Sequence, residues 1–416
     1  MTATTTPAPG PLSPAERISE LDAVRGVAIL GILPVNILAF KASLYAPALG
    51  LPLASDLDRV ARWITFLLFQ QKFYTLFAFL FGLGLAIQGE RAEARGQDPG
   101  RLWRRRLTAL AGIGAIHAFG VWWGDILLTY ALLGFAVALF GRARVRVIAW
   151  SALGIGASTW VLQVALLAFV GSLTLAFPEV RSAIDEALAP MRADMLEHVR
   201  RSIDVYGSGT FGAIAAQRAA DVGRLYSMAM PMFPYIAGLM LAGFACGKAG
   251  LHRRIAASRP ALRRALPWLS AVGIAGNLAY ATHMTSGDPS APTLTAAGAV
   301  AAGAIAVPAL SAAYAVTILL AWGTARGRRA LTPLAAVGRT ALSCYLLQSV
   351  VATTLFYGYG FGLYGRVGPA AAWLIVAGLW VVQPPLAVAW LRRFRFGPAE
   401  WVWRAMTYRE RPPFRR

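Results

Sequence analysis

Residues 17–40 read RISELDAVRGVAILGILPVNILAF, and this stretch decides the class of fold. Its apolar part is close in length to the roughly 20 residues that a membrane-spanning helix needs. Asp22 and Arg25 stand three positions apart at its start, and Asn36 lies eleven positions after Arg25, inside the apolar run. The stretch therefore predicts a membrane-spanning helix that carries three polar side chains.

The rest of the chain has the composition of a polytopic membrane protein. It contains 416 residues, 57% of them hydrophobic, and its mean hydropathy is +0.55. These values differ from those of a soluble globular domain, and hydropathy predicts an all-α bundle of about ten membrane-spanning helices in a lipid bilayer. The predicted spans lie near residues 22–42, 60–88, 104–122, 125–141, 146–176, 224–247, 266–284, 293–322, 334–356 and 369–391.

Basic residues are concentrated in the short segments between the predicted spans. The net charge is +21, but this distribution is typical of membrane topology signals and argues against a nucleic-acid partner. Segments 89–106 and 248–264 hold six Lys or Arg residues each and the tail after Leu391 holds eight, whereas segment 285–292 holds none. Ten alternating spans put the basic segments on one side of the bilayer. The positive-inside rule then places that side, with both termini, in the cytoplasm.

Five segments of different character follow from this pattern. Residues 1–16 are polar and rich in proline, which predicts a disordered tail, and residues 17–176 hold the first group of spans. Residues 177–223 have apolar side chains at helical spacing, so we expect amphipathic helices at the outer surface, which either cap a cavity or simply connect the spans. Residues 224–391 hold the remaining spans, and residues 392–416 form a basic tail at the membrane surface.

The three polar residues of the first span share one face. At about 100° per residue, Arg25 and Asn36 lie about 20° apart around the helix and roughly 16 Å apart along its axis. Asp22 lies about 60° from Arg25 on the same stripe. Two interpretations remain open: a polar pathway along this face, or an Asp22–Arg25 ion pair with a separate interhelical hydrogen bond from Asn36.

A second group of polar residues lies in GIGAIHAFGVWWGDILLTYA, residues 112–131. His117 falls near the outer end of the third predicted span, and Asp125 follows a Trp-Trp-Gly turn. The turn lets the fourth span pack against the third, so the two side chains can meet. An imidazole held by a carboxylate is a suitable general base, although a histidine inside a membrane can also be purely structural.

A third group lies in FLLFQQKFYTLFAFLFGLG, residues 66–84, where Lys72 falls well inside the second predicted span. Its ammonium either extends towards the membrane surface or faces the same interior as Asn36 and binds an anionic group. The two cysteines, Cys246 and Cys344, lie in apolar spans, so neither a disulfide framework nor a metal site is predicted.

Several motifs of the chain resemble the YeiB-like family of bacterial inner-membrane proteins, a family of unknown function. They are RISELDAVRGVAILGILPVNI, KFYTLFAFLFGLG, RRRLTALAGIGAIHAFGVWWGDILLTYALLG, GRTALSCYLLQSVV and FRFGPAEWVWRAMTY, and they occur in this order. The resemblance implies a multi-pass protein of the bacterial cytoplasmic membrane. It also implies a distant similarity to transmembrane acyltransferases, in which the first span likewise begins with LDxxRG.

In many O-acyltransferases of that superfamily a histidine lies eleven positions after the arginine, whereas this chain has Asn36, which cannot act as a general base at neutral pH. The resemblance therefore implies His117 as the catalytic base, with Asp125 orienting it. Substrate binding would fall to Asp22, Arg25, Asn36 and Lys72. Acyl-CoA would be the donor substrate rather than a tightly bound cofactor, and a periplasmic sugar or lipid with a free hydroxyl or amine would be the acceptor.

Two other functions fit polar residues inside membrane spans. A transporter for a small solute would predict paired halves with broken helices at matching positions, and the chain shows no internal repeat. A non-catalytic membrane protein would have no evident use for buried charges such as Arg25 and Lys72.

Overall fold

The computed structural model describes residues 18–43, 55–286 and 291–416. The predicted N-terminal tail, residues 1–16, lies outside these residues. Within them the chain is almost entirely helical, and the only pairing of extended backbone is one isolated bridge in the C-terminal tail. The predicted all-α fold class is therefore confirmed.

Fifteen α-helices follow one another along the described residues. In the first half of the chain they are α1 (Ser19–Lys41), α2 (Asp56–Leu68), α3 (Lys72–Ala94), α4 (Pro99–Gly120), α5 (Leu127–Ala138), α6 (Val145–Ala176) and α7 (Pro178–Ser208). In the second half they are α8 (Phe211–Ala229), α9 (Phe233–Lys248), α10 (Ile255–Thr285), α11 (Leu294–Trp322), α12 (Ala325–Arg339), α13 (Ala341–Phe356), α14 (Pro369–Arg393) and α15 (Pro398–Tyr408).

In the described part of the chain, six helical segments are long and apolar enough to cross a membrane, and a bent pair makes a seventh if it counts as one span. The six are α1, α2 with α3, α6, α8 with α9, α11 and α14, and the bent pair is α12 with α13. The other predicted spans match α4 and α10, which carry several arginines, and α5, which has only 12 residues. The prediction of a membrane protein with many helices is therefore confirmed, whereas the count of ten spans and the cytoplasmic location of the termini stay predictions.

The second predicted span is broken where its polar residues stand. α2 ends at Leu68 and α3 begins at Lys72, and Gln71 between them has a left-handed conformation with φ of 68°. Such a break leaves the last carbonyl groups of α2 without helical N–H donors. The Lys72 ammonium donates to the Phe66 carbonyl at 2.7 Å, and the Tyr314 hydroxyl donates to the Leu68 carbonyl at 3.0 Å. Polar side chains thus satisfy the backbone at the interruption.

The ninth predicted span is also interrupted. α12 and α13 meet at Thr340, and their axes differ in direction by 78°. Glu400 of α15 caps the free N–H groups at the start of α13, because its carboxylate accepts from Leu342 N–H at 2.7 Å and from Ser343 N–H at 3.2 Å. The Ser343 hydroxyl donates to the same carboxylate. The GPAEWVWR motif near the end of the chain therefore stabilises a bend in a distant helix pair.

α1 packs closely against α12 through two glycines. Gly26 lies on the backbone of α12, where a methyl group would overlap the Leu334 carbonyl oxygen. A methyl group on Gly338 of α12 would likewise overlap the Asp22 carbonyl oxygen of α1. Small residues commonly allow such close approach of membrane helices. The glycine of LDAVRG therefore fixes the first helix against the bent pair.

Contacts between helix termini fall into two groups, and the first lies at the C-terminal end of α1. There the N–H of Gly365, from the segment after α13, donates to the Lys41 carbonyl at 2.7 Å. Asp58 near the start of α2 accepts from the N–H of Ala370 at the start of α14, at 2.9 Å. These helices thus begin or end at the same end of the bundle.

The second group lies at the other end of the bundle and contains the basic segments. Trp403 of α15 donates its indole N–H to the Arg106 carbonyl near the start of α4, at 2.9 Å. Lys248 at the end of α9 donates to the Gly141 carbonyl, between α5 and α6, at 2.7 Å. This grouping is what alternating spans with basic residues on one side would produce.

Segment 177–223, expected to be amphipathic, folds into α7 and most of α8. Both helices contact the end of the bundle where α1 finishes: the Tyr206 carbonyl accepts from Gly358 N–H at 2.7 Å. Nη1 of Arg218 in α8 donates to the Phe119 carbonyl, close to the end of α4, at 3.1 Å. The segment therefore lies over the helix ends that also contain His117 and Asp125.

Candidate functional site

His117 and Asp125 form a hydrogen-bonded pair inside the bundle. Nδ1 of His117 lies 2.7 Å from Oδ2 of Asp125, and both side chains are 1% exposed. The turn after α4 creates this contact, because the N–H groups of Val121 and Trp122 both donate to the His117 carbonyl and end the helix. Oδ1 of Asp125 accepts from the N–H of Leu128 at 2.7 Å. Because both carboxylate oxygens are engaged, Asp125 fixes the orientation of the imidazole.

Aromatic rings enclose this imidazole. The ring centroid of Tyr345 in α13 lies 5.0 Å from that of His117, and the ring of Trp122 lies 6.4 Å away. Trp122 in turn stacks on Phe40, near the end of α1, with centroids 3.9 Å apart. Nε2 of His117 is buried and has no hydrogen-bond partner among the described residues. The nitrogen opposite the carboxylate is therefore the one available to a bound molecule.

The predicted ion pair at the start of α1 is present. Arg25 Nη1 lies 2.7 Å from Asp22 Oδ1, and the side chains are 31% and 15% exposed. Asn36 is half-buried in the second half of α1. The interhelical hydrogen bond from Asn36 that one of the two interpretations required is not seen among the described residues.

Lys72 is fully buried and engaged by neighbouring helices. Besides the Phe66 carbonyl, its ammonium faces the ring of Tyr280 in α10, at 6.0 Å from the centroid. The Ser311 hydroxyl of α11 donates to the Lys72 carbonyl at 2.8 Å. The interpretation in which Lys72 extends towards the membrane surface is therefore wrong, and its ammonium contacts α2 and α10 rather than the polar face of α1.

The six candidate residues thus form two pairs and two separate side chains. The pairs are His117 with Asp125 and Asp22 with Arg25, and the separate residues are Asn36 and Lys72. Among the described residues, no group of three or more His, Cys, Asp or Glu side chains is placed to hold a metal ion.

A second buried polar cluster, in α7 and α8, is absent from the sequence-based predictions. The Tyr206 hydroxyl donates to Asp221 Oδ2 at 2.6 Å, and Nε2 of Gln217 donates to Oδ1 at 3.0 Å. Nε2 of His198 lies 3.4 Å from the same Oδ1, and burial lowers the pKa of His198. His198, Ser202 and Tyr206 stand four positions apart, which puts them on one helix face. This stripe of polar residues at four-residue spacing is the sequence pattern from which the cluster could have been predicted.

Long apolar helices, two interrupted spans and buried charged pairs define a multi-pass α-helical membrane protein. Comparison with known proteins identifies the family to which the chain belongs. The family model described as "Protein of unknown function (DUF418)" matches residues 246–410. The uncharacterized protein YxaH of Bacillus subtilis (strain 168) is 34% identical over 415 residues, which cover 94% of this chain and 94% of that protein. The chain therefore belongs to the DUF418 family.

Other relatives are similar along almost their whole length. The uncharacterized protein YeiB of Escherichia coli (strain K12) is 32% identical over 412 residues, covering 96% of this chain and 98% of YeiB. An uncharacterized 39.9 kDa protein in the amylase 3′ region of Bacillus acidopullulyticus is 27% identical over 410 residues, covering 97% of both chains. No solved structure matches the chain. The predicted membership of the YeiB-like family is confirmed.

Proposed function

We propose that this protein is a membrane acyltransferase. It would move an acyl group from cytoplasmic acyl-CoA to a hydroxyl or amine of an acceptor at the outer side of the bacterial cytoplasmic membrane. The observation that carries the proposal is the buried His117–Asp125 pair, 2.7 Å apart, with Nε2 of the imidazole free of partners among the described residues. An imidazole oriented in this way can remove a proton from an attacking hydroxyl or amine.

The proposed reaction moves one proton through His117. Nε2 takes the proton of the acceptor as its oxygen or nitrogen bonds to the thioester carbonyl carbon, and Asp125 stabilises the imidazolium that forms. When the tetrahedral intermediate collapses, the C–S bond breaks and the CoA sulfur receives the proton from Nε2. The products are an ester or amide and free CoA thiol, and His117 is neutral again.

The face of α1 that meets the Trp-Trp turn supplies a group for the oxyanion. Asn36 and Phe40 are four residues apart, so they share a helix face, and Phe40 stacks on Trp122. We assign the Asn36 amide as the donor that stabilises the negative oxygen of the intermediate. Because His117 is 1% exposed, Trp122 or Tyr345 has to move to admit the substrates.

The donor would enter from the other end of α1. Arg25 is partly exposed there, and its guanidinium can bind the phosphates of CoA while Asp22 holds it in position. Lys72 is a weaker candidate for this role because its ammonium already donates to the Phe66 carbonyl.

Solute transport is the second candidate function, and the interrupted helices favour it because transporters often bind substrates at such breaks. In this chain, however, side chains occupy the freed backbone groups. Lys72 and Tyr314 satisfy carbonyls of α2, and Glu400 satisfies the N–H groups of α13. These groups are thus committed within the protein, whereas Nε2 of His117 has no described partner. Acyl transfer is therefore the better-supported function.

Release of CoA thiol from acetyl-CoA by the purified protein tests the proposal, with water and then simple sugars as acceptors. We expect His117→Gln to lower turnover at least about 100-fold, since a general base contributes typically ~10²–10⁴-fold. His252→Gln is the matched control, because this histidine lies in the turn before α10, and it should keep wild-type turnover. Asp125→Asn should also lower turnover, because an amide no longer stabilises the imidazolium.

Two results would contradict acyl transfer. One is equal turnover by the wild type and His117→Gln, and the other is wild-type protein that neither binds nor cleaves acetyl-CoA. Uptake of a solute by proteoliposomes without thiol release would favour transport instead.

A further inference from the structure

Arg218 of α8 is a buried arginine with most of its donors unused. Its side chain is 1% exposed, although it belongs to a helix rich in surface residues. Nη1 donates to the Phe119 carbonyl at 3.1 Å, whereas Nε and Nη2 are buried without a partner among the described residues. An unpaired charge in such a place is costly, so buried arginines normally meet a carboxylate or another anion.

The neighbouring acid does not neutralise this arginine. Asp221 lies three residues further along α8, but its carboxylate oxygens accept from Tyr206 and Gln217 and face His198. No carboxylate forms an ion pair with Arg218 within the described residues. The Phe119 carbonyl, at the negative C-terminal end of the α4 dipole, offsets part of the cost but provides one acceptor only.

Other unused donors surround the same place. The indole N–H of Trp122, the indole N–H of Trp123 and the hydroxyl of Tyr357 are all buried without partners in the part of the chain that the structure describes. All three residues belong to one buried cluster with Tyr206. Oε1 of Gln217 is an acceptor without a partner among the described residues. A region so rich in donors is suited to a ligand rich in acceptors.

This region adjoins the proposed catalytic pair. The Phe119 carbonyl that holds Arg218 lies two residues after His117 in α4, about 3 Å further along the helix axis. Trp122 contacts both Phe40 and the imidazole. Because Trp122 contacts the imidazole, a molecule bound to its indole N–H would lie beside His117.

We propose that Arg218 is the anion-binding residue of this site and recognises a phosphate or carboxylate on the acceptor. The assignment as an acceptor rests on the proposed acyl transfer, whereas anion binding by Arg218 does not. The planar guanidinium can give two parallel hydrogen bonds from Nε and Nη2 to one oxyanion, which are the two nitrogens without a described partner. The anion belongs either to a water-soluble molecule or to the headgroup of an anionic lipid.

Thermal unfolding with defined anions tests the proposal. Purified wild type, Arg218→Gln, Arg218→Lys and Arg224→Gln are compared in sodium phosphate, in sn-glycerol 3-phosphate and in sodium chloride of equal ionic strength. Arg224 is the matched control because it lies on the same helix but pairs with the exposed Asp194. A second series uses nanodiscs of phosphatidylglycerol or of phosphatidylcholine, which separates a lipid headgroup from a soluble anion.

We expect an anion to raise the melting temperature of the wild type and of Arg224→Gln but not that of Arg218→Gln at the same concentration. The anion should bind Arg218→Gln roughly 10- to 100-fold more weakly than it binds the wild type. Stabilisation by the soluble phosphates indicates a soluble ligand, and stabilisation by phosphatidylglycerol alone indicates a lipid. In chloride, Arg218→Gln should melt at or above the wild-type temperature, because glutamine still carries an amide donor for a nearby carbonyl while the unpaired buried charge is removed. If Arg218→Gln cannot be purified, Arg218→Lys should bind several-fold more weakly than wild type, since it lacks the planar fork.

Equal anion-induced stabilisation of the wild type and the Arg218 variants overturns the proposal, as does the absence of any stabilisation. A lower melting temperature of Arg218→Gln in every buffer, with an unchanged anion effect, assigns Arg218 a structural role and also overturns it. His117→Gln should bind the anion as the wild type does. If no variant cleaves acetyl-CoA but Arg218-dependent binding persists, the acyltransferase function fails while the anion site stands.

Discussion

Lys72 acts in this structure as a replacement for a missing backbone donor. In a continuous helix the Phe66 carbonyl would accept the N–H of residue 70, but the N–H of Gln70 donates to the Thr65 carbonyl instead. The ammonium of Lys72 takes its place at 2.7 Å, where the side chain is 0% exposed. A charged residue that looks like a ligand-binding group in the sequence therefore stabilises the end of α2.

Replacing Lys72 with methionine should destabilise the protein. The substitution leaves the buried Phe66 carbonyl unpaired, which costs about 1–3 kcal/mol of unfolding free energy. Lys248→Met is the control, since Lys248 bonds two carbonyls at an exposed site where water can replace it. Melting temperatures in detergent compare the two variants. Equal melting temperatures would contradict the structural role of Lys72.

Contacts between candidate residues could be predicted from the sequence where the two residues are close to each other in the chain. Asp22 and Arg25 are one helical turn apart, and a short turn brings Asp125 back to His117, so local geometry determines both contacts. Arg218 lies 99 residues from the carbonyl that it contacts. Neither hydropathy nor spacing predicts such a contact, because it depends on how α8 packs over α4.

At the scale of helices, the glycine contact between α1 and α12 gives a direct test of the packing. Gly26→Ala would overlap the Leu334 carbonyl and force the helices apart, at a cost of about 1–3 kcal/mol. Gly112→Ala is the matched control, because a methyl group there meets nothing within 4 Å and alanine favours the helix. Thermal melting should show destabilisation for the first variant and a neutral or slightly stabilising effect for the second.

The cap on α13 should make stability depend on pH. Burial raises the pKa of Glu400, so its contribution to stability is full below the ordinary glutamate pKa and is lost as the pH rises through the raised value. Glu400→Gln keeps an acceptor for the N–H groups of Leu342 and Ser343 but does not titrate. As the pH rises from the ordinary glutamate pKa through the raised pKa of Glu400, the melting temperature of Glu400→Gln should therefore fall less than that of the wild type. Glu410→Gln is the control at an exposed position, and its melting temperature should change with pH as that of the wild type does. The same pH dependence in Glu400→Gln as in the wild type would contradict the prediction.

At the scale of the molecule, hydropathy predicted where helices occur because a membrane span must satisfy a minimum apolar length. It did not predict the break before Lys72 or the bend at Thr340. Both interruptions are stabilised by side chains from distant helices, Tyr314 and Glu400 among them. Hydropathy detects apolar length but not the tertiary hydrogen bonds that make a broken helix stable.

Membrane topology decides whether His117 can serve an outer acceptor. With ten alternating spans, α4 and α5 both cross the bilayer, and the turn between them, next to His117, lies outside. If α4 and α5 do not cross, this turn stays on the same side as the end of α3. Gly120 is exposed in this turn region, and a side chain there meets nothing within 4 Å, so it is a suitable labelling position.

Single-cysteine labelling tests this arrangement in a protein whose two cysteines, at 246 and 344, are replaced by serine. A membrane-impermeant maleimide should label Gly120→Cys and Ser208→Cys in intact spheroplasts. Glu93→Cys and Glu410→Cys should react only after the membrane is permeabilised, because the arginine-rich segments near them favour the cytoplasm. Labelling of Gly120→Cys only after permeabilisation would contradict ten spans and put the imidazole at the inner side, where an outer acceptor cannot reach it.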